Sequence, residues 1–528
     1  MKHLLPLTLL LLTPLMAAAQ VTQYVDGVQL VELTVTPQKP PVPALKYKMT
    51  WGFDQRVKNN AAIQYNFAMR EMAHIRWRHL FMDLEKFEED YHRLFTDPEF
   101  FGEKKAEHDA FEKMLQNLDG DAPTNAERLR FETSLRYKPE AYAYYSSKPA
   151  GEFPVDEARN FVDRFRTVYR FLEAGSRCDY CDWEHHIRGN KDPISIALPE
   201  IHESRDLARG LMVKARLEIH DKNYDAAIKT IRVGKTLARH VAEGSQVIVA
   251  SLVGIAIEGM MNECLFELVQ QPDAPNLYWT LSVLPATSFS YAESFEVEMD
   301  FLRQMFPELV RAMDDPDSMT ENDWKEFSRV LIKAVASFPS STDNTESVKL
   351  LVASTWGIAA YPKAKQWLAS RGKTAEEIEA MPVAQAIGLW SVYRYEIIRD
   401  DYMKIVRLPF WQRKSHDPDQ RWNEFEVMSP LDALVRMLMP AINAYYGAVC
   451  RTRANVDVLR IVEAVRLYAA ENDGRLPDTL DAIESVPIPS VDPFTGKPYV
   501  YRIENGRAVV EYNPGYGVFR TVIKVNDK

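Results

Sequence analysis

The sequence predicts a mainly α-helical protein: antiparallel helical hairpins, closed by a small C-terminal α+β hairpin unit. Three observations lead there. From Asp54 onward, apolar residues recur at helical spacing. The short segment Asp221–Ala227 joins two such stretches as a tight connection. Beyond Gly474 the period changes to two around Asn505-Gly506, the favoured pair for a two-residue hairpin turn. With 528 residues and 46% hydrophobic content, the chain can bury a large core.

The elements follow in order. Residues 1–19 read as a signal peptide. Lys2 and His3 precede the apolar run Leu4–Leu15, and Ala17-Ala18-Ala19 offers a small-residue cleavage site before Gln20. Residues 20–50 read as an extended arm or short hairpin. Val21–Thr36 alternates β-branched and polar residues, and Pro37, Pro40, Pro41 and Pro43 then form a linker. An N-terminal helical region spans 51–175. It holds one long or two joined helices ending near Asp97-Pro98, then Ala106–Leu118, Ala126–Tyr137 and Val155–Ala174.

The central region, 176–290, opens with a polar and aromatic loop from Cys178 to Pro193. Helices are expected at Glu200–His220, Tyr224–Glu243 and Ser245–Gln270, the last apolar enough for the centre of the core. A second helical region, 291–428, carries Tyr291–Met313, Glu321–Phe338, Ser347–Arg371, Ala375–Glu379 and Val383–Leu408, then a charged loop. Residues 429–528 start with Leu431–Met439 and a kink at Pro440. A final helix to Glu471 buries Val458, Ile461, Val462, Val465 and Ala469, and Gly474 suits its left-handed stop. Tyr499, Tyr501 and Ile503 alternate on one hairpin strand, and Ala508, Val510 and Tyr512 on the other.

Several segments carry resemblances. NAAIQYNFA from Asn60, CDW from Cys181, DLARGLMVKARLEIHDKNYDAAIKTIRVGKTLARHVAEG from Asp206 and QQPDAPNLYWTLSVLP from Gln270 occur in this order. With the C-terminal unit, they resemble an uncharacterised family of exported helical proteins from planctomycete-type bacteria. That resemblance implies export and a helical fold, and no activity. The hairpin around Asp221 resembles a single tetratricopeptide unit. Ala215, Ala227 and Ile231 stand at its crossing, and Lys222 replaces its usual turn glycine. The pattern Asp492, Pro493, Pro498, Tyr499 resembles the C-terminal region of type II secretion pseudopilins. A pseudopilin places this unit close behind its membrane helix, so pilus assembly is not implied here.

Composition narrows the function. A net charge of −11 argues against nucleic acid, which is bound by Lys and Arg neutralising phosphates. It also argues against anionic lipid surfaces. The acidity favours solubility. No integral membrane span is expected after signal cleavage, since the best later stretch, Val247–Met261, contains Glu258. Four cysteines do not make a disulfide scaffold, and Cys264 and Cys450 read as buried thiols.

Five candidate chemistries stand beside plainer readings. Cys178 and Cys181 with His185 or His186 form half a zinc site, for which only His202 offers more. A local disulfide and unpaired structural thiols compete, and haem attachment fails because Asp182 follows Cys181. Glu258, in an apolar helix, is a candidate general acid for an envelope hydrolase acting on cell wall or polysaccharide. Its alternative is a buried glutamate paired with a cation. Nucleophilic hydrolysis has no G-x-S-x-G or H-E-x-x-H signature, and Ser, His and Asp show no informative spacing. Asp492, with Asp478 or Asp481, is a calcium candidate, against the simpler role of setting a turn before Pro493. Trp183, Tyr278, Trp279, Trp411 and Trp422 are candidates for a binding surface, against filling gaps between helices.

The expectation is therefore an exported, non-enzymatic binding or scaffolding protein of the cell envelope. It would be periplasmic or at the cell surface, with a protein or peptide partner and no cofactor. The alternatives are the hydrolase and a structural part of a secretion or surface assembly.

Overall fold

The structure, a computed structural model, describes residues 23–25, 28–81, 148, 150–190, 193, 196–284, 291–337, 359–413, 431–432, 434–435, 441–489, 491–514 and 517–526. The signal segment, the helices expected at Ala106–Leu118 and Ala126–Tyr137, Trp422 and Pro440 lie outside these residues. The described chain is mainly helical, with a small mixed sheet.

Strands β1 (Gln23–Val25) and β2 (Val28–Val35) form the expected opening hairpin. β3 (Val57–Asn60) leads into α1 (Ala61–Phe81). The helix expected over Val155–Ala174 is two, α2 (Val155–Arg164) and α3 (Arg166–Ser176), broken at Phe165. Phe161 and Phe165 pack across the break as a tilted pair, with ring centroids 4.6 Å apart. β4 (Cys178–Tyr180) then pairs in parallel with β3, placing Val57 beside Cys178 and Asn60 beside Tyr180.

The centre is a three-helix unit of α4 (Pro199–His220), α5 (Tyr224–Ser245) and α6 (Ile248–Leu268). Pro199 opens α4, where a missing N–H costs nothing. Asn223 caps α5 by accepting from the Ala226 N–H at 3.4 Å. Lys222, in the turn between them, has φ +58°, a conformation that favours glycine. Gly254 of α6 lies so close to α5 that a Cβ there would stand 2.6 Å from the Ala238 carbonyl oxygen. Most of α6 is buried. It is the one described helix long and apolar enough to cross a membrane, and 72% of its most apolar window lies inside the fold. Apolar character on every side is what a core helix needs.

After the core, the short helix α7 (Tyr278–Ser282) follows. The stretch Tyr291–Met313 is three short helices, α8 (Tyr291–Met299), α9 (Phe301–Met305) and α10 (Pro307–Asp314). Pro307 forces one boundary, because it offers no N–H to a continuing helix. α11 (Glu321–Ser337), α12 (Ala375–Ala380) and α13 (Val383–Met403) follow. Thr374 and Glu377 form a capping box on α12. A separate small core joins helical residues 359–370 to α12 and α13 through Ala360, Leu368, Ile378 and Trp390. α14 (Phe410–Arg413) precedes the long α15 (Ala441–Glu471).

Val458, Ile461, Val462, Val465 and Ala469 of α15 are all buried, as their spacing predicts. Asn505 (φ +51°) and Gly506 (φ +72°) turn β5 (Val500–Glu504) into β6 (Arg507–Tyr512). A further strand, β7 (Val518–Val525), extends this hairpin. The sheet order is β1-β2-β7-β6-β5, so the opening strand belongs to the C-terminal sheet. β2 and β7 run parallel from Val28 beside Val518 to Val35 beside Val525. A two-stranded hairpin is marginal in water, and β7 and β2 supply the missing neighbours. Tyr499 and Tyr512 anchor the sheet on α15 by donating to Asp457 and Asn455, each at 3.2 Å.

Candidate functional site

The polar loop between β4 and α4 docks on the turn between α5 and α6. Asn60 clamps its start, donating to the Asp182 carbonyl at 2.7 Å and accepting from the Asp182 N–H at 2.9 Å. Trp183 turns inward and stacks between Tyr65, at 6.0 Å, and His185, at 6.5 Å. Gly244 makes room for it, since a Cβ there would lie 2.7 Å from the indole nitrogen. Farther along, the Gly189 N–H donates to Gln304 at 3.0 Å.

A cavity of about 370 Å³ lies between loop and turn. Its wall includes Cys181, Asp182, Glu184, His185, Arg188 and Glu243, together with Ser245 and Gln246 at the end of α5. Glu184, His186 and Gln246 adopt left-handed backbone, with φ of +57°, +49° and +54°. Strain of this kind gathers where surrounding structure holds it, and binding sites are among such places.

His185 is held at both ring nitrogens. Nδ1 lies 3.0 Å from Ser245 Oγ, and Nε2 lies 3.2 Å from Glu200 Oε2. A carboxylate only accepts, so the neutral ring donates from Nε2 and accepts from Ser245 at Nδ1. Glu200 sits in the first turn of α4 and Ser245 at the last residue of α5. The three residues come from a loop and two different helices.

The sequence candidates fall as follows. Cys178 lies on β4, Cys181, His185 and His186 lie on the loop after it, and both cysteines are free thiols. Burial, with Asp179 nearby, raises the Cys178 pKa, and burial raises that of Cys181 further, so both thiols resist ionisation. His185 spends both nitrogens on protein partners. Among the described residues, no group of three or more His, Cys, Asp or Glu is placed to hold a metal ion. His202, on α4, has its pKa lowered by burial and by Arg205.

Glu258 is buried, but its carboxylate is paired with the Lys235 ammonium, which also donates to Asn262 at 2.7 Å. That is the ion-paired glutamate of the plainer reading, and Glu258 is absent from the cavity wall. Asp492 sets a turn, accepting from the Phe494 N–H at 2.8 Å and the Thr495 hydroxyl at 3.0 Å. Four of the aromatic candidates lie among the described residues. Trp183 and Tyr278 are buried, Trp279 packs against the core, and Trp411 lies over Gly496 of the C-terminal unit.

The sequence reading missed Ser245 and Glu200 as partners of His185. They lie 60 and 15 residues away along the chain, at no motif spacing. Only the fold of the loop onto α4 and α5 joins them.

Comparison of the chain with protein-family models, with curated proteins and with solved structures finds no match. The functional reading therefore rests on the residues of this site.

Proposed function

We propose that the protein is exported and serves in the cell envelope as a binding or scaffolding protein, with the cavity beside His185 as its ligand site. The supporting observation is the acidic lining of that cavity. The cavity collects the exposed side chains of Asp182, Glu184 and Glu243 against Arg188, with Arg239 at 4.0 Å from Glu243, around an open volume that suits a small polar ligand. The excess of acid favours a ligand carrying a positive charge.

Export is supported by Lys2, the leucine-rich run and Ala17–Ala19. The α4–α5 hairpin, with Ala215, Ala227 and Ile231 buried at its crossing, is compatible with the tetratricopeptide-like reading. The likeness to an exported planctomycete-type family favours the same reading.

Titration of the full chain with arginine or glucosamine, followed by tryptophan fluorescence, tests the ligand site. A saturable change that Trp183→Phe abolishes is expected. No change at millimolar probe would end this reading. N-terminal sequencing of the secreted protein tests export and should begin at or near Gln20.

A second reading, part of a surface assembly, has one observation in its favour. β5 forms an outer edge of the sheet, and Val500 and Ile503 on it are exposed. The pseudopilin-like pattern from Asp492 to Tyr499 belongs with this reading.

A further inference from the structure

We infer that Ser245, His185 and Glu200 form a nucleophilic acyl-transfer site, and that the cavity they border accepts a small polar ester bearing a positive charge. The inference rests on the same cavity as the proposed ligand site and adds a reaction to it.

A serine hydroxyl is a weak nucleophile until a neighbouring base takes its proton and a third group orients that base. The geometry supplies each part. Ser245 Oγ lies 3.0 Å from His185 Nδ1, within the reach expected of a nucleophile and its base. Glu200 lies 3.2 Å from Nε2 and, as an acceptor only, favours the neutral tautomer with its proton there, which turns the lone pair of Nδ1 to the serine. Stacking on Trp183, at an interplanar angle of 13°, fixes the plane of the imidazole. Ser245 and His185 both belong to the cavity wall, and with Ser245 only 4% exposed, a carbonyl has to reach the floor of the cavity to meet it.

The backbone N–H that follows Ser245 is the oxyanion donor of this site. Gln246 closes α5 in left-handed backbone, with φ +54° and ψ +32°. Among the described residues, no backbone carbonyl accepts its N–H, whereas the corresponding N–H at the end of α6 returns to the Leu265 carbonyl at 3.0 Å. A backbone N–H directly after the nucleophile is where unrelated serine hydrolases place one oxyanion contact. Each such donor is worth roughly a hundredfold to a thousandfold in rate.

The reaction balances with water as the only co-reactant. Ser245 Oγ bonds to the ester carbonyl carbon as its proton passes to His185 Nδ1. The carbon–oxygen bond to the alcohol then breaks, and His185 returns the proton to the departing alkoxide. Water next attacks the acyl-serine, giving one proton to His185. The Oγ–carbon bond breaks, the carboxylic acid leaves, and Ser245 recovers its proton. Asp182, Glu184 and Glu243 around the cavity select for a cationic group on either half of the ester.

The experiment treats the full chain with a fluorophosphonate and maps the adduct by peptide mass. One adduct on Ser245 is expected. Ser245→Ala should show none, and His185→Gln should label at least a hundredfold more slowly while keeping its circular dichroism. Glu200 acts as a positioning residue. Glu200→Gln can present an amide N–H to Nε2, which moves the ring proton to Nδ1. Its labelling should slow at least tenfold and Glu200→Asp should recover part of that rate, whereas a purely structural glutamate would not distinguish the two variants. An unlabelled Ser245 in folded protein, or equal labelling of His185→Gln, overturns the inference. Probe binding without labelling leaves the ligand site standing and removes the reaction. Labelling without probe binding removes the cationic ligand and keeps the serine.

Discussion

Glu463 and Arg466, one turn apart on α15 and both fully buried, pair at 2.8 Å and tie three distant segments together. Arg466 donates to the Thr36 carbonyl just past β2 at 3.1 Å and to the Ala274 carbonyl at 2.9 Å. Glu463 accepts from the Leu277 N–H at 3.0 Å, and Asn276 donates to the carbonyls of Glu463 and Gln38. The start of the chain, the connector after α6 and the last helix thus meet at one charged pair.

Removing one partner of such a pair strands the other charge without solvent. Arg466→Ala should therefore lose about 3–5 kcal/mol, read as a lower urea midpoint. A paired replacement, Glu463→Gln with Arg466→Met, should lose less, since no buried charge remains. Equal losses in the two variants would show that packing, not charge pairing, holds this junction.

Val462→Asp should destabilise the C-terminal unit strongly. Val462 is fully buried on the stripe that seats α15. The change removes apolar burial worth about 1.5–3 kcal/mol and adds a carboxylate without a partner. Limited proteolysis around 471–493 should be slow in the unmutated chain and fast in the variant. Rapid cleavage that releases a stable body from both would mean that the unit is not docked.

The contact between α5 and α6 leaves no room for a methyl group at Gly254. Its Cβ would meet the Ala238 carbonyl oxygen at 2.6 Å and the Ala242 Cβ at 2.8 Å. Gly254→Ala should cost about 1–3 kcal/mol by forcing the helices apart, despite alanine's higher helix propensity. Lys222→Gly should act in the opposite direction. It relieves left-handed backbone at φ +58° and should gain up to about 1 kcal/mol in chemical denaturation.

Stability should also fall as pH rises from about 4.5 through 7. Burial pushes the Glu298 carboxyl up to about 7, partly offset by the Ile248 N–H that it accepts at 2.6 Å. A carboxyl with a raised folded pKa contributes fully below its unfolded value, and that contribution is lost as pH passes the folded value. The loss is at most about 3 kcal/mol, and less where solvent reaches this half-buried side chain. Glu298→Gln should flatten the profile between those limits in urea denaturation followed across pH.

Much of the fold was legible because its signals are local. Helical spacing located α4, α5, α6 and α15, since one face of each must leave water wherever the helix packs. Gly474 at φ +81° and the Asn505-Gly506 turn follow from backbone sterics alone. Tertiary structure decided what depends on distant residues. β2 pairs with β7 nearly 500 positions later, a choice that strand propensity in Val28–Val35 leaves open. Glu258 became an ion-paired core residue only when α5 brought Lys235 to it. Ser245, His185 and Glu200 carry no shared motif, because hydrogen bonds between side chains depend on distance in space and not on distance along the chain.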